Sequence, residues 1–227
     1  MQASHLAARM AGVNLTSFSE VGRKIVGAAL NYKSLAQDLK VQHPPRPVIF
    51  LKPTSSYINV GQDIEISKSD IVNYEVELGV IIGKKCKNIP ESSALDCIGG
   101  YCLALDMTNV SILSEARKAS APWDLGKGFD TACPVSKFIP KEKIKNPDDV
   151  KLWLKLNGTI KQNGNTNDMI FSTAHLISFV SQHMTLEPGD LLLTGSPSGV
   201  GPVRPNDVLE CGLEDLVTMK FSVKATD

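Results

Sequence analysis

Glu75-Val76-Glu77 is the first place where residue type and spacing could do chemistry. On a strand, alternate side chains share a face. The two carboxylates would then point together, with Val76 and Leu78 turned into apolar packing. Two like charges in a stretch as hydrophobic as NYEVELGVIIG resist burial unless something positive compensates. A hard divalent cation does so, because Mg²⁺, Mn²⁺ and Ca²⁺ prefer oxygen ligands. The same spacing also describes a solvated strand face with two glutamates. Asp106 closes another apolar run, GYCLALD, where a lone acid is costly unless paired. A third carboxylate makes a three-acid metal site conceivable; the plainer roles are a helix N-cap or an exposed strand end. Spacing leaves this open, since the two strands need not be neighbours.

Two further segments could serve such a site. Leu193 to Gly201 (LTGSPSGVG) follows a short apolar run and could offer backbone N–H groups and hydroxyls to an anion. It has neither the Walker lysine nor the Rossmann spacing, so nucleotide binding is not expected; an ordinary glycine-rich turn is the other reading. Lys127, between Gly126 and Gly128, either reaches into a pocket or is exposed. Nucleophilic triads are poorly supported. The histidines are His5, His43, His175 and His183, and no GxSxG elbow exists. Cys133 has no local base and reads as a core cysteine.

The elements that must position these residues are mostly strands. Pro47–Pro53, Asn73–Gly83, Gly100–Asp106, Lys151–Leu156, Thr159–Lys161, Asp190–Thr194 and Val217–Val223 read as strands, with Asn157-Gly158 as a type I′ turn. One helix is predicted from near Thr108 to about Ala119. Another follows Ser172 or Thr173 as N-cap, with Leu176, Ile177 and Val180 on one face. No regular βαβ rhythm appears, which favours an α+β fold with large mixed or antiparallel sheets.

Composition narrows the function classes. The chain has 227 residues, 42% of them hydrophobic, enough for a real core. Lysine plus arginine and aspartate plus glutamate number 24 each, so there is no electrostatic footprint for nucleic acid or an anionic membrane. No apolar stretch reaches the ~20 residues of a spanning helix. The five scattered cysteines form no CxxC pair, which argues against zinc, against a disulfide framework and for a reducing compartment. Residues 1–20 read as a flexible tail or a weak mitochondrial presequence, so the compartment is mitochondrial or cytoplasmic. Residues 21–227 read as one catalytic domain, with 21–70 a small cap or lid portion.

Taken in order, Glu75-Val76-Glu77-Leu78-Gly79, Gly99-Gly100-Tyr101, Ala104-Leu105-Asp106-Met107-Thr108, Pro122-Trp123, Lys127 and Leu193-Thr194-Gly195-Ser196-Pro197 resemble the fumarylacetoacetate hydrolase superfamily, nearest its small single-domain acylpyruvases. The likeness runs from about Gly22 to Val223. It implies a β-sandwich-like roll, usually a homodimer, with a Mg²⁺ or Mn²⁺ ion held at Glu75, Glu77 and Asp106. A catalytic, substrate-contacting lysine maps onto Lys127, and the substrate-binding loop onto Gly195 and Ser196. Family members hydrolyse acylpyruvates, and some decarboxylate oxaloacetate or interconvert its keto and enol forms.

The chain departs from that pattern around the water-activating groups. The family arginine, histidine and glutamate fall at Leu30, Leu35 and Asp38, and an arginine and a glutamine fall at Val110 and Leu113. A positioned general base is worth roughly 10²–10⁴ in rate, and leucine cannot supply one. His43 could substitute only if the lid took a different path. Hydrolysis is therefore expected to be weak, whereas metal-assisted decarboxylation or tautomerisation of a small 2-oxo acid survives the loss better. Two other outcomes are a catalytically silent homologue that binds metal and oxo acid as a sensor or dimer partner, and a structural protein without metal.

Overall fold

The computed structural model describes residues 13–226. Most of the stretch expected to be a presequence or tail lies outside them. The strands are β1 (Ile25–Ala29), β2 (Val48–Lys52), β3 (Tyr57–Asn59), β4 (Ile64–Ile66), β5 (Val72–Tyr74), β6 (Val76–Ile82), β7 (Ile98–Leu105), β8 (Thr108–Asn109), β9 (Cys133–Val135), β10 (Ile139–Pro140), β11 (Lys151–Leu156), β12 (Thr159–Asn165), β13 (Leu191–Leu193), β14 (Gly201–Val203), β15 (Val208–Leu213) and β16 (Val217–Ala225). The helices are α1 (Phe18–Val21), α2 (Lys33–Asp38), α3 (Val110–Lys118), α4 (Asp124–Lys127) and α5 (Thr173–His183).

An eight-stranded sheet runs β2-β1-β13-β6-β7-β9-β3, with β10 also on β7. A five-stranded sheet runs β12-β11-β15-β16-β4, and a three-stranded one β14-β5-β8. Most pairs are antiparallel; β1–β13, β3–β9 and β4–β16 are parallel. These mixed, curled sheets with few short helices are an α+β fold.

One core packs Val76, Leu78, Val80 and Leu103 against Leu152, Leu209 and Phe221 of the second sheet, with Leu176, Ile177 and Val180 of α5 alongside. A smaller cluster of Ile25, Ile81, Cys102, Leu191 and Leu193 covers the opposite face of the main sheet. Burial on both faces explains why β6 loses strict alternation: all seven of its residues are buried.

Local chemistry explains the ends. Asn157 and Gly158 both take positive φ, 50° and 80°, as a type I′ hairpin between β11 and β12 requires. Ser172 caps α5 by accepting from the His175 N–H at 3.1 Å. Helix α3 is capped by Asn109, which accepts from Ile112, so Asp106 is neither its N-cap nor an exposed end. All five cysteines are free and buried.

One expected strand is divided. Asn73–Gly83 breaks at Glu75: β5 belongs to the three-stranded sheet and β6 to the main one. Across the break, β7 gives way to β8 in the same manner. The joint therefore bends two paired strands together, and Glu75 faces Asp106 at the bend.

Candidate metal centre

The register of β6 and β7 builds the centre. Val76 pairs with Leu105 and Glu77 with Ala104. One step further, the Asp106 N–H donates to the Glu75 carbonyl at 2.9 Å. Directly opposed residues of an antiparallel pair share a face. Glu75, Glu77 and Asp106 thus project from one side of the main sheet, at its open end. Each offers a carboxylate oxygen, and the three oxygens lie within 4.8 Å of one another. Glu77 and Asp106 are each 1% exposed, which removes the solvated-face reading.

Strand β13 brings in the loop. Leu193 pairs with Gly79, the Thr194 N–H and hydroxyl both reach the Leu78 carbonyl, and the Gly195 N–H donates to Glu77 Oε2 at 2.6 Å. Gly195 has φ +99°, and a Cβ there would lie 2.8 Å from that of Asn31, so glycine is needed for this approach. Its N–H is spent on Glu77. Ser196 Oγ accepts from Gln162 Nε2 at 2.8 Å, which leaves the Ser196 proton free to donate.

Lys127, at the end of α4, is buried. Its Nζ lies 2.5 Å from Asp106 Oδ2, 3.4 Å from Glu75 Oε1 and 2.7 Å from Thr108 Oγ1. Thr108 donates onward to Glu75 at 2.6 Å. A second lysine was not anticipated from the sequence. Lys52, the last residue of β2, is fully buried, with Nζ 2.7 Å from Asp106 Oδ1. The signal was present: a lone lysine closes the apolar run VIFLK, just as Asp106 closes GYCLALD. Thr108, Gln162 and Asn31 also gained no role in advance. Asn31 ties the end of β1 to the Thr194 carbonyl at 2.8 Å.

Burial and the neighbouring carboxylates Asp106 and Glu75 hold the Glu77 carboxyl well above the usual range, against the Gly195 N–H that lowers it. Burial also raises Glu75, opposed first by Lys127. For Asp106, burial is outweighed by Lys127 and Lys52, and its carboxyl stays below the usual value. Burial would discharge Lys127, but Asp106 and Glu75 more than offset it. With all five groups charged, three acids and two ammoniums leave one net negative charge in a buried space.

A hard dication fits this donor set. All three side chains offer oxygen, and among the described residues no histidine or cysteine joins the cluster. Three carboxylate oxygens would fill part of the shell of such a cation, leaving positions for water or substrate oxygens. Asp106 Oδ1 is buried beside the Lys52 ammonium. Glu75, Thr108 and Lys127 form the floor of a cavity of about 570 Å³.

The comparisons with known proteins agree with this geometry. The model of the fumarylacetoacetate (FAA) hydrolase C-terminal family matches residues 24–224. The chain belongs to the fumarylacetoacetate hydrolase family. It is 51% identical over 213 residues to a mitochondrial oxaloacetate decarboxylase of Dictyostelium discoideum, covering 92% of this chain and 97% of that protein. It is 46% identical over 211 residues to the human mitochondrial oxaloacetate tautomerase FAHD1, covering 92% and 96%. Among solved structures, Pseudomonas aeruginosa fumarylpyruvate hydrolase in complex with Mn²⁺ and pyruvate superposes with a TM-score of 0.85 at 27% identity, over 90% of each chain. A yeast protein of the family superposes at 0.84 with 31% identity, over 93% of this chain and 97% of that one. The chain is thus a fumarylacetoacetate hydrolase family enzyme, of hydrolase or lyase type.

Proposed function

We propose that this enzyme binds Mg²⁺ or Mn²⁺ through Glu75, Glu77 and Asp106 and acts on a small 2-oxo acid, by keto–enol exchange or decarboxylation of the oxaloacetate type rather than by hydrolysis. The observation that carries this reading is the carboxylate triad, whose Glu75 lines a cavity together with Lys127. The dication, when bound, supplies Lewis acidity to the 2-oxo group and makes the adjacent carbon easier to deprotonate or decarboxylate.

The chain's own groups do the rest. The Lys127 ammonium balances substrate charge and, on giving up its long 3.4 Å contact to Glu75, donates to a substrate oxygen; it is the catalytic residue of the proposal. The free Ser196 proton is a second donor, held in place by Gln162. Gly195 acts on the site through Glu77, whose carboxylate it orients. Water activation is the missing part. Leu35 and Val110 line the cavity where the family pattern has polar groups, and no histidine is among its lining residues. His43 is exposed on the loop after α2. Asp38 engages Ser198 at the rim.

The Dictyostelium and human relatives are named as mitochondrial, which supports that compartment for this chain. We further propose a homodimer, with residues 21–70 supplying the covering portion of the site through α2. Light scattering on the purified enzyme reads the mass directly.

The deciding experiment incubates the protein with oxaloacetate and with acetylpyruvate, in Mg²⁺ and then in EDTA, following both by absorbance. EDTA-sensitive loss or tautomerisation of oxaloacetate without acetylpyruvate hydrolysis is expected. Fast acetylpyruvate hydrolysis would show that another group activates water. No turnover of either, with metal still bound, would favour the silent homologue.

A further inference from the structure

We propose that Thr108 is a positioning residue: its hydroxyl stands between Lys127 and Glu75 and keeps the ammonium from closing onto the carboxylate. Lys127 thereby retains a proton for substrate, and Glu75 an oxygen for the dication. The inference rests on the reading of Glu75 as a metal ligand and of Lys127 as the catalytic residue.

The direction of each hydrogen bond here is forced. A lysine ammonium only donates, so Thr108 Oγ1 accepts from Lys127 Nζ at 2.7 Å. A hydroxyl has one proton, and that of Thr108 goes to Glu75 Oε1 at 2.6 Å rather than to the Asp106 carbonyl at 3.4 Å. Lys127 Nζ lies 2.5 Å from Asp106 Oδ2 but 3.4 Å from Glu75 Oε1. Charge-assisted bonds of this kind ordinarily close to about 2.7–2.9 Å. One carboxylate is gripped and the other is held off, and the group that bridges the open pair is the Thr108 hydroxyl.

The spacer is fixed while its neighbours can pivot. Strand β8 pairs Thr108 with Asn73, and the next residue, Asn109, caps α3 and donates to Asp70 Oδ2 at 2.7 Å. Thr108 is 3% exposed. Lys127 is tied at Asp106 and rests on a smooth apolar surface, with Nζ 4.4 Å from the centre of the Phe50 ring. Glu75 is the triad member with open space beside it, its side chain 18% exposed. Valine has the shape of threonine without the hydroxyl. In Thr108→Val the ammonium loses an acceptor and the carboxylate loses a donor, and each finds its nearest replacement in the other. The closed pair then takes the third Lys127 proton and an oxygen of Glu75.

The test titrates the metal-free protein with Mn²⁺ in a calorimeter, and then the Mn²⁺-saturated protein with pyruvate. Removing a group that orients a metal ligand typically costs 10–100-fold in affinity, and an Mn²⁺ loss of about that size is expected in Thr108→Val. Pyruvate should also bind the saturated variant more weakly, because the Lys127 proton is committed to Glu75. Thr108→Ser keeps the hydroxyl and should restore most of both affinities. The decisive variant joins Thr108→Val to Lys127→Met. With no ammonium left to close on Glu75, the valine should cost much less Mn²⁺ affinity than it does beside Lys127. If the double variant does not fold, the comparison of Thr108→Val with Thr108→Ser decides. Wild-type Mn²⁺ affinity in a folded Thr108→Val, or an equal valine penalty with and without Lys127, overturns the spacer role alone. Wild-type protein that binds no Mn²⁺ sinks the metal reading and this proposal with it.

Discussion

An ammonium has three protons, and Lys52 spends all of them on carbonyls, those of Met107, Lys127 and Ala132. Asp106 Oδ1, 2.7 Å from the same Nζ, shares in its charge. That one arrangement holds three chain segments around a carboxylate. It also makes Lys52 costly to remove. Lys52→Met strips a buried carboxylate of one counter-charge and leaves three carbonyls without a donor. Truncating one partner of a buried ion pair typically costs 3–5 kcal/mol, so a loss of about that size is expected in urea denaturation. A change below ~1 kcal/mol would mean that Lys127 alone neutralises Asp106. The sequence held the clue to Lys52 in its apolar strand. It could not hold the clue to Gln162, because a glutamine in a polar strand such as TIKQNGN gives no sign of burial. Only the fold shows that its side chain accepts from the Val76 N–H at 2.9 Å and donates to both Ser196 and the Pro197 carbonyl.

Elements position the centre through ladders. Strand β6 is flanked by β7, which brings Asp106, and by β13, which delivers the loop to Glu77. The strands themselves were legible, because apolar runs bounded by turn residues mark them. So were the Asn157-Gly158 hairpin and the cap of α5, whose signals are local. Pairing was not legible: nothing in GYCLALD states that it lies beside VELGVII. The break at Glu75 was hidden too, since a continuous apolar pattern conceals a change of sheet. Gly195 tests the ladder argument. In Gly195→Ala the new Cβ meets Asn31, and the backbone must leave φ +99°. The N–H then turns away from Glu77. Loss of a group that orients a metal ligand typically costs 10–100-fold in affinity, so Mn²⁺ binding should weaken by about that much in a calorimetric titration. Unchanged Mn²⁺ affinity in a folded variant would show that Glu77 needs no support from this loop.

At the scale of the whole molecule, the fold buries like charges that no described residues fully offset. Glu77 illustrates the cost: burial and two neighbouring acids oppose its charge, while one backbone N–H supports it. A protein without metal carries this as a destabilising feature. A bound dication relieves it in the folded state and finds no assembled triad in the unfolded one. Binding to the native state alone stabilises by RT ln(1 + [L]/Kd), about 2.7 kcal/mol at a hundredfold excess over Kd. For a chain of this length each kcal/mol moves the melting temperature by roughly 2–4 °C. Mn²⁺ or Mg²⁺ should then raise the melting temperature by about 5–10 °C, and EDTA should reverse it. Glu77→Gln supplies the control. It removes one buried charge and keeps a similar shape, so the metal-free protein should melt no lower than wild type while the rise with metal largely disappears. A metal-independent melting temperature in the wild-type protein would mean that Lys52 and Lys127 already satisfy the triad, and would favour a structural role for these five charges.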